Sequence, residues 1–219
     1  MATKHNPTKD TVESPAKARI LDAAERLFAE HGIVGVPIRD IIEEAGVNVA
    51  SVNYYFGSKT GLIRSVFLRR LEPIDKHRHE LLDKTERESG ESPPKLEAVL
   101  EALILPIVER GYGKDGNKAF FQLMGRCFMN PDETIEPLMQ KHAAPTVRRF
   151  DKALMRALPG ITKEELFWQV VFVMGALHHA LPVCGSSLRH REIEAGEFMR
   201  RFVTFAAAGL RAAVKAPRK

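Results

Sequence analysis

A short polar segment between residues 48 and 55 carries the side chains best suited to recognise another molecule. Its amide and hydroxyl groups can donate and accept hydrogen bonds while adding little charge. The polar members of the segment are Asn48, Ser51, Asn53, Tyr54 and Tyr55. Val52 within this segment and Phe56 just after it are apolar and four positions apart, so they predict the inward side of a short helix. The polar groups would then form its outward side.

A second short helix is predicted immediately before this segment. Ile38, Ile41, Ile42 and Ala45 follow the i, i+3, i+4, i+7 spacing of one helix face. Gly46 comes next, where a helix end favours a residue that tolerates a left-handed backbone, and Asn48 suits the N-cap of the following helix. Two short helices joined by a tight glycine turn, the second with a polar outer face, are typical of a helix-turn-helix.

Residues that could carry catalysis or hold a metal do not form a recognisable pattern. His77 and His79 are two positions apart and would point away from each other on a helix. His178 and His179 have no cysteine or carboxylate at ligand spacing, Cys127 has no partner that the sequence can place beside it, and there is no phosphate-binding glycine loop. We therefore expect no enzyme activity, no metal and no cofactor.

Composition and charge narrow the classes of protein further. The net charge of +5 arises from residues 189–219, which hold eight basic and three acidic residues, so the polar segment itself is not basic. Non-specific attraction to phosphates should therefore be modest. No secretory signal is expected at the N-terminus. The most apolar stretch, residues 166–183, is interrupted by Gln169, His178 and His179, so we expect a buried helix, no membrane contact and a cytoplasmic location.

The whole chain predicts an all-α fold in two domains. We expect a mobile arm at residues 1–14, a helix-turn-helix domain at 15–60 and a helical domain at 61–219. Ser14 and Pro15 suit the start of a first helix that ends at Gly32. A long helix is predicted from Lys59 to about residue 88, kinked or broken at Pro73. Further helices are predicted near 95–111, 116–129, 133–157, 163–181 and 192–213, the third of them divided at Pro145.

Three sequence blocks resemble the TetR family of transcriptional regulators. They are RILDAAERLFAEHG at residues 19–32, IRDIIEEAGV at 38–47 and VNYYFGSKTGL at 52–62. The resemblance implies a dimeric DNA-binding protein, typically a repressor that leaves a palindromic operator when a small molecule binds. It also implies that the second short helix enters the major groove of double-stranded DNA.

Transferred position by position, the resemblance assigns DNA contacts. Arg39 matches a position where some members read guanine, and Lys59 matches a lysine that binds phosphate. The complete set implied is Arg39, Asn48, Val49, Ala50, Ser51, Asn53, Tyr54, Tyr55 and Lys59. Two departures stand out: Pro37-Ile38 replaces the usual Thr-Thr, removing a capping hydroxyl, and Asn53 replaces a usual tyrosine. Because asparagine can pair with adenine, the second change predicts altered sequence preference.

Methionine and phenylalanine residues of the second domain predict an adaptable apolar cavity. The ligand-binding candidates are Phe120, Phe121, Met124, Cys127, Phe128, Phe150, Trp168 and Phe172. Any one of them could equally be an ordinary core residue. FFQLMGRC and the later RRFDKALMRALPGITKEELFW are weakly similar to fatty-acid-responsive members of the family, which implies a small apolar ligand such as a fatty acid or an acyl thioester.

The helix predicted at 163–181 is apolar on nearly every side and must be covered on every side. One chain can cover one face, so a second copy is expected on another, together with the last helix. The interface candidates are Phe167, Val171, Met174, Leu177, Phe198, Phe202 and Phe205. Two alternatives remain open: a helical ligand-binding or dimerisation protein with weak or no DNA binding, and an enzyme built on a helical bundle.

Overall fold

The structure is a computed structural model that describes residues 14–112, 118–129, 133, 135–184 and 194–215. The predicted arm at 1–14 lies outside these ranges except for Ser14. Within them the chain is helical and contains no strand, which confirms the all-α prediction. The helices are α1 (Pro15–His31), α2 (Ile38–Ala45), α3 (Val49–Phe56), α4 (Lys59–Ser89), α5 (Leu96–Tyr112), α6 (Lys118–Met129), α7 (Glu136–Ala157), α8 (Lys163–Cys184) and α9 (Ala195–Lys215).

The chain divides into two compact units at Val66 and Phe67, inside α4. The sequence analysis placed the domain boundary earlier in the same helix, at residue 60. In the first unit, α1 packs against α2 and α3. Its core combines the apolar stripe of α1, the inward residues of the two short helices and the first turn of α4, namely Ile20, Ala24, Phe28, Ile41, Val52, Phe56 and Leu62.

The second unit is a bundle built around α5, α7, α8 and α9. The last helix packs against both α5 and α8, while α7 packs against α5 and α8. Arg211 of α9 pairs with Glu97 of α5, with Nη1 2.6 Å from Oε1. Arg149 of α7 pairs with Asp83 and Glu86 of α4, and these contacts fix α7 beside α4.

Pro73, Pro106 and Pro145 all lie within continuous helices. Pro73 lies inside α4 and Pro145 inside α7, so neither helix is divided as the sequence analysis allowed. A proline removes one backbone donor, and packing along a long helix can outweigh that loss. Among the described helices, none is long and apolar enough to cross a membrane.

Candidate nucleic-acid interface and ligand cavity

The turn between α2 and α3 has the backbone geometry expected from its sequence. Gly46 adopts the left-handed conformation, with φ 61° and ψ 44°, which a residue with a Cβ adopts only at a cost. Asn48 is the N-cap of α3, and its Oδ1 accepts a hydrogen bond from Ser51 N at 3.0 Å. Ser51 Oγ donates to the same oxygen at 3.1 Å. Because this acceptor is occupied, Asn48 can offer only its amide N–H groups to a ligand.

The outer surface of α3 is polar and accessible. Tyr54 is 82% exposed and Val49 is 63% exposed, and Ala50 and Asn53 are also exposed. Hydrogen-bonding side chains read base edges, and apolar groups contact the thymine methyl. The surface of α3 therefore has the mixture of groups that a major-groove reader needs.

Tyr55 differs from its neighbour because its hydroxyl is already bonded inside the unit. The Tyr55 hydroxyl lies 2.8 Å from Ser14 Oγ, joining α3 to the start of α1. The same contact explains why Ser14, at the N-cap position of α1, makes no capping hydrogen bond through its side chain. We therefore interpret Tyr55 as a residue that positions α3, whereas the sequence analysis treated it as a direct DNA contact.

Two cations flank α3. The side chain of Arg39 is 86% exposed, and its Nε lies 3.1 Å from Asp40 Oδ1. An ion pair this exposed contributes little stability, so the guanidinium can exchange Asp40 for another acceptor. Lys59 Nζ lies 3.5 Å from the Val34 carbonyl oxygen. Lys59 opens α4, where Ser58 Oγ accepts a hydrogen bond from Gly61 N at 3.0 Å.

The missing hydroxyl before α2 has the predicted structural effect. Pro37 is the N-cap of α2 and provides no side-chain hydrogen bond. Asp40 lies in the first turn instead, where a carboxylate interacts favourably with the helix dipole. This helix end is therefore less suited to an anion than the start of α4.

A cavity of about 190 Å³ lies inside the second unit. Its wall is mostly apolar, and four of the predicted ligand residues, Phe120, Phe121, Met124 and Phe150, belong to it. The remaining apolar wall residues come from α4, α5, α7 and α8: Leu71, Ile74, Leu103, Ile107, Met139, Ala143, Val147, Leu154, Val170 and Met174. The volume is close to the roughly 150 Å³ of a cavity that holds benzene, and it is below the roughly 300–1,000 Å³ of sites for drug-sized ligands.

Four predicted ligand residues do not belong to the described wall. Trp168 and Phe172 are exposed and stack on each other at 6.1 Å between ring centroids. They share the face of α8 that turns away from the cavity residues Val170 and Met174, so they do not contribute to this cavity. Cys127, one turn beyond Met124, is not part of the wall. The side chain of Phe128 lies outside the described residues.

A buried ion pair forms one part of the cavity wall. Arg78 Nη1 lies 3.0 Å from Asp75 Oδ1, and both side chains are largely buried. Arg78 Nε also donates to the Leu103 carbonyl oxygen at 2.9 Å. Desolvation by burial lowers the pKa of Arg78, opposed by the charge and hydrogen bond of Asp75. Removing either partner of such a pair would leave a buried charge uncompensated.

Two histidines extend this polar region. His142 Nε2 lies 3.0 Å from Asp75 Oδ2, but the atoms are not aligned for a hydrogen bond, so Nε2 is a buried nitrogen without a directed partner. His178 Nδ1 donates to the Met174 carbonyl oxygen at 2.6 Å. Burial lowers the pKa of His178, which favours its neutral form. Sequence analysis missed this region because its members come from three helices.

The other histidine pair lies apart. His77 Nδ1 is 3.4 Å from Glu109 Oε2 of α5, whereas His79 Nε2 is 3.1 Å from Thr146 Oγ1 of α7. The two imidazoles therefore serve different neighbours, as their i, i+2 spacing predicted. Among the described residues, no three side chains of the metal-binding types converge.

The predicted interface residues fall into two groups. Phe167, Val171 and Phe205 are exposed, with Phe167 at 59% and Phe205 at 60%. Leu177 is fully buried, Phe198 and Phe202 are nearly so, and Met174 lines the cavity. The second group is already covered by its own chain, so its part in an interface stays a prediction. The exposed face of α8 and α9, comprising Phe167, Trp168, Val171, Phe172 and Phe205, is called the aromatic face below.

Known proteins match both units of the chain. Residues 20–66 match the model described as bacterial regulatory proteins of the tetR family, and residues 101–209 match the tetracyclin repressor-like C-terminal domain. RaaS, an HTH-type transcriptional regulatory protein of Mycobacterium tuberculosis, is 53% identical over 47 residues, covering 22% of each chain. BetI, an HTH-type transcriptional regulator of Agrobacterium fabrum, is 40% identical over 52 residues, covering 24% of this chain and 25% of BetI. These matches span about a quarter of the length of the curated relatives.

The fold is shared over nearly the full length of solved structures. A protein of Pseudomonas aeruginosa described as a transcriptional regulator superposes with a TM-score of 0.61 at 16% identity, covering 95% of this chain and 96% of that one. An HlyIIR mutant superposes with a TM-score of 0.58 at 19% identity, covering 87% and 97% of the two chains. With its helix-turn-helix and its helical second unit matched by separate models, the chain belongs to the TetR family of bacterial regulatory proteins.

Proposed function

We propose that this protein is a sequence-specific DNA-binding transcriptional regulator that acts as a homodimer. The observation that carries the proposal is the surface of α3, where exposed hydrogen-bonding groups follow a well-formed turn and two cations flank them. A dimer would present two such helices about 34–36 Å apart, matching successive major grooves of a palindromic operator. The family supports this assignment.

The aromatic face supports the dimer. Large aromatic groups exposed on two packed helices are unusual on a monomer and mark an interaction surface. Because α8 and α9 pack against each other, two copies could bring four helices together. Stable interfaces of this kind bury on the order of 2,000 Å² or more.

We further propose that the protein is a repressor and that a small molecule bound in the cavity releases it from the operator. α4 provides Lys59 at its start and the cavity residues Leu71, Ile74, Asp75 and Arg78 further along. A ligand that changes the packing around those residues would bias α4, and with it the spacing of the two recognition helices. The cavity volume supports a compact ligand rather than the long acyl chain expected from the sequence.

Footprinting of DNA upstream of the gene tests the proposal. We expect protection of a palindrome by the wild-type protein, and Arg39→Ala should cost about 1–3 kcal/mol of binding while relaxing the preference at one base pair. Lys163→Ala, which removes an exposed cation at the start of α8, is the matched control and should leave the footprint unchanged. Failure of the folded wild-type dimer to protect any site would favour the alternative of a ligand-binding or dimerisation protein.

A further inference from the structure

One acidic side chain of the cavity wall has no counter-charge. Asp151 of α7 lines the cavity together with Phe150 and Val170. Within the described part of the chain, Asp151 makes no hydrogen bond or ion pair with another side chain. Burial raises its pKa, and no neighbouring cation opposes that effect.

The basic groups of the wall that pair with a carboxylate face Asp75 and not Asp151. Asp75 and Arg78 neutralise each other at 3.0 Å. His142 Nε2 lies 3.0 Å from the other oxygen of the same carboxylate, Asp75 Oδ2, and burial holds His178 towards its neutral form. Asp151 is therefore the acidic side chain of the described wall that has no basic partner. An anionic ligand would be repelled, whereas a cation would supply the missing charge.

Aromatic rings also surround the space. Phe120, Phe121 and Phe150 belong to the wall, and the face of an aromatic ring attracts a cation. An apolar, ring-lined cavity with one unpaired carboxylate matches a ligand that is itself largely apolar but carries a single positive charge. The volume of about 190 Å³ limits that ligand to roughly the size of one substituted ring.

We infer that the cavity binds compact hydrophobic cations, such as aromatic amines or small quaternary ammonium compounds, with Asp151 as the counter-charge. This inference rests on the proposed ligand-responsive function and specifies its ligand class. It differs from the sequence expectation of a fatty acid or an acyl thioester. Arg78 is the only arginine or lysine among the described wall residues, and it is already occupied by Asp75 and the Leu103 carbonyl.

Three probes of similar size test the inference on the full-length protein by isothermal titration calorimetry. Benzyltrimethylammonium is a permanent cation, neopentylbenzene has the same shape with carbon in place of nitrogen, and 3-phenylpropionate is an anion. We expect the cation to bind at least about tenfold more tightly than the neutral compound, as a nearby carboxylate in a partly desolvated site requires. The anion should bind most weakly.

Variants locate the source of the preference. Asp151→Asn should reduce the preference for the cation over neopentylbenzene to near unity, while Asp151→Glu should retain it. Glu164→Gln removes one exposed carboxylate at the start of α8 and should change nothing, so it controls for overall charge. Circular dichroism should show that Asp151→Asn keeps the helical content of the wild type, so that binding to the two proteins can be compared. Binding of neopentylbenzene to the variant then reports whether the cavity still forms.

Several outcomes would overturn the inference. These are equal binding of the cation and its neutral counterpart, preference for 3-phenylpropionate, an unchanged preference in Asp151→Asn, or no binding of any probe. None of these results bears on the operator footprint, which uses DNA alone. A failed footprint with selective cation binding would conversely refute the proposed function and leave the cavity assignment in place.

Discussion

We expect Gly61→Ala to destabilise the protein by about 2 kcal/mol, although alanine is the better helix former. A Cβ at position 61 would lie 2.0 Å from the carbonyl oxygen of Phe56 and 3.2 Å from its carbonyl carbon. Ordinary contact begins near 3.4 Å, so the atoms must separate by more than about 1 Å. The obstacle is backbone at the end of α3, and it cannot rotate away as a flexible side chain could.

The magnitude follows from two opposing effects. Overpacking typically costs about 1–3 kcal/mol, and a backbone clash belongs at the upper end of that range or beyond. Replacing glycine by alanine inside a helix contributes about 0.8–1 kcal/mol in the other direction. The difference is a loss of about 2 kcal/mol. Moving position 61 away from Phe56 would also disturb the hydrogen bond between Gly61 N and Ser58 Oγ. This bond lies at the start of α4 beside Lys59, so operator affinity should decrease as well.

Urea denaturation followed by circular dichroism, at fixed protomer concentration, measures the effect. Gly125→Ala is the matched control because it also places a methyl group in a helix, α6, but with no atom within 4 Å of the new Cβ. The free energy of unfolding of that variant should exceed that of the wild type by roughly 0.5–1 kcal/mol. If Gly61→Ala were as stable as the wild type, or gained stability like the control, the predicted approach of Phe56 to position 61 would be refuted.

Three further predictions concern binding and assembly. Lys59→Ala should weaken binding to all DNA sequences alike and reduce the slope of log binding constant against log salt concentration by about one. Salt titration measures this slope with Lys163→Ala as the control, and an unchanged slope would place Lys59 away from phosphates. The wild type should sediment as a dimer until it unfolds, whereas Phe205→Glu should disrupt assembly, and a folded wild-type monomer at micromolar concentration would contradict the interface. Operator DNA should weaken binding of an inducing ligand by the same factor by which the ligand weakens DNA binding. This factor is typically about 5–150-fold, or about 1–3 kcal/mol. Equal ligand affinity with and without operator would show that the two sites are uncoupled.

The N-terminal unit could be predicted from the sequence because its determinants are local. The spacing of Ile41, Ile42 and Ala45 indicates one helix face, and all three are buried. Gly46 and Asn48 mark the turn through their own backbone and side-chain preferences, and both adopt the predicted roles. Each signal acts over a few residues, so one sequence is enough to read it.

The cavity could be predicted only in part because its wall comes from five helices. Phe120 and Phe150 were found through their type, but Trp168 and Phe172 share that type and lie on another face. On a helix that is apolar all round, periodicity does not indicate which side faces inward. Asp75, His142 and Asp151 were missed since nothing in the sequence indicates that α4 and α7 lie side by side. The available signal was the pair of polar residues His142 and Thr146, which are four positions apart on the face of α7 that Phe150 and Leu154 continue.

If the proposed dimer forms through the exposed aromatic face, the activity of this protein depends on its abundance. If two copies must cover that face before either is stable, folding and assembly become one equilibrium, and protomer concentration enters the stability directly. At concentrations where dimers are the minority species, doubling the number of chains yields nearly four times as many dimers. Operator occupancy would then rise more steeply than gene expression, so a modest change in synthesis or degradation could switch the controlled promoter without any ligand.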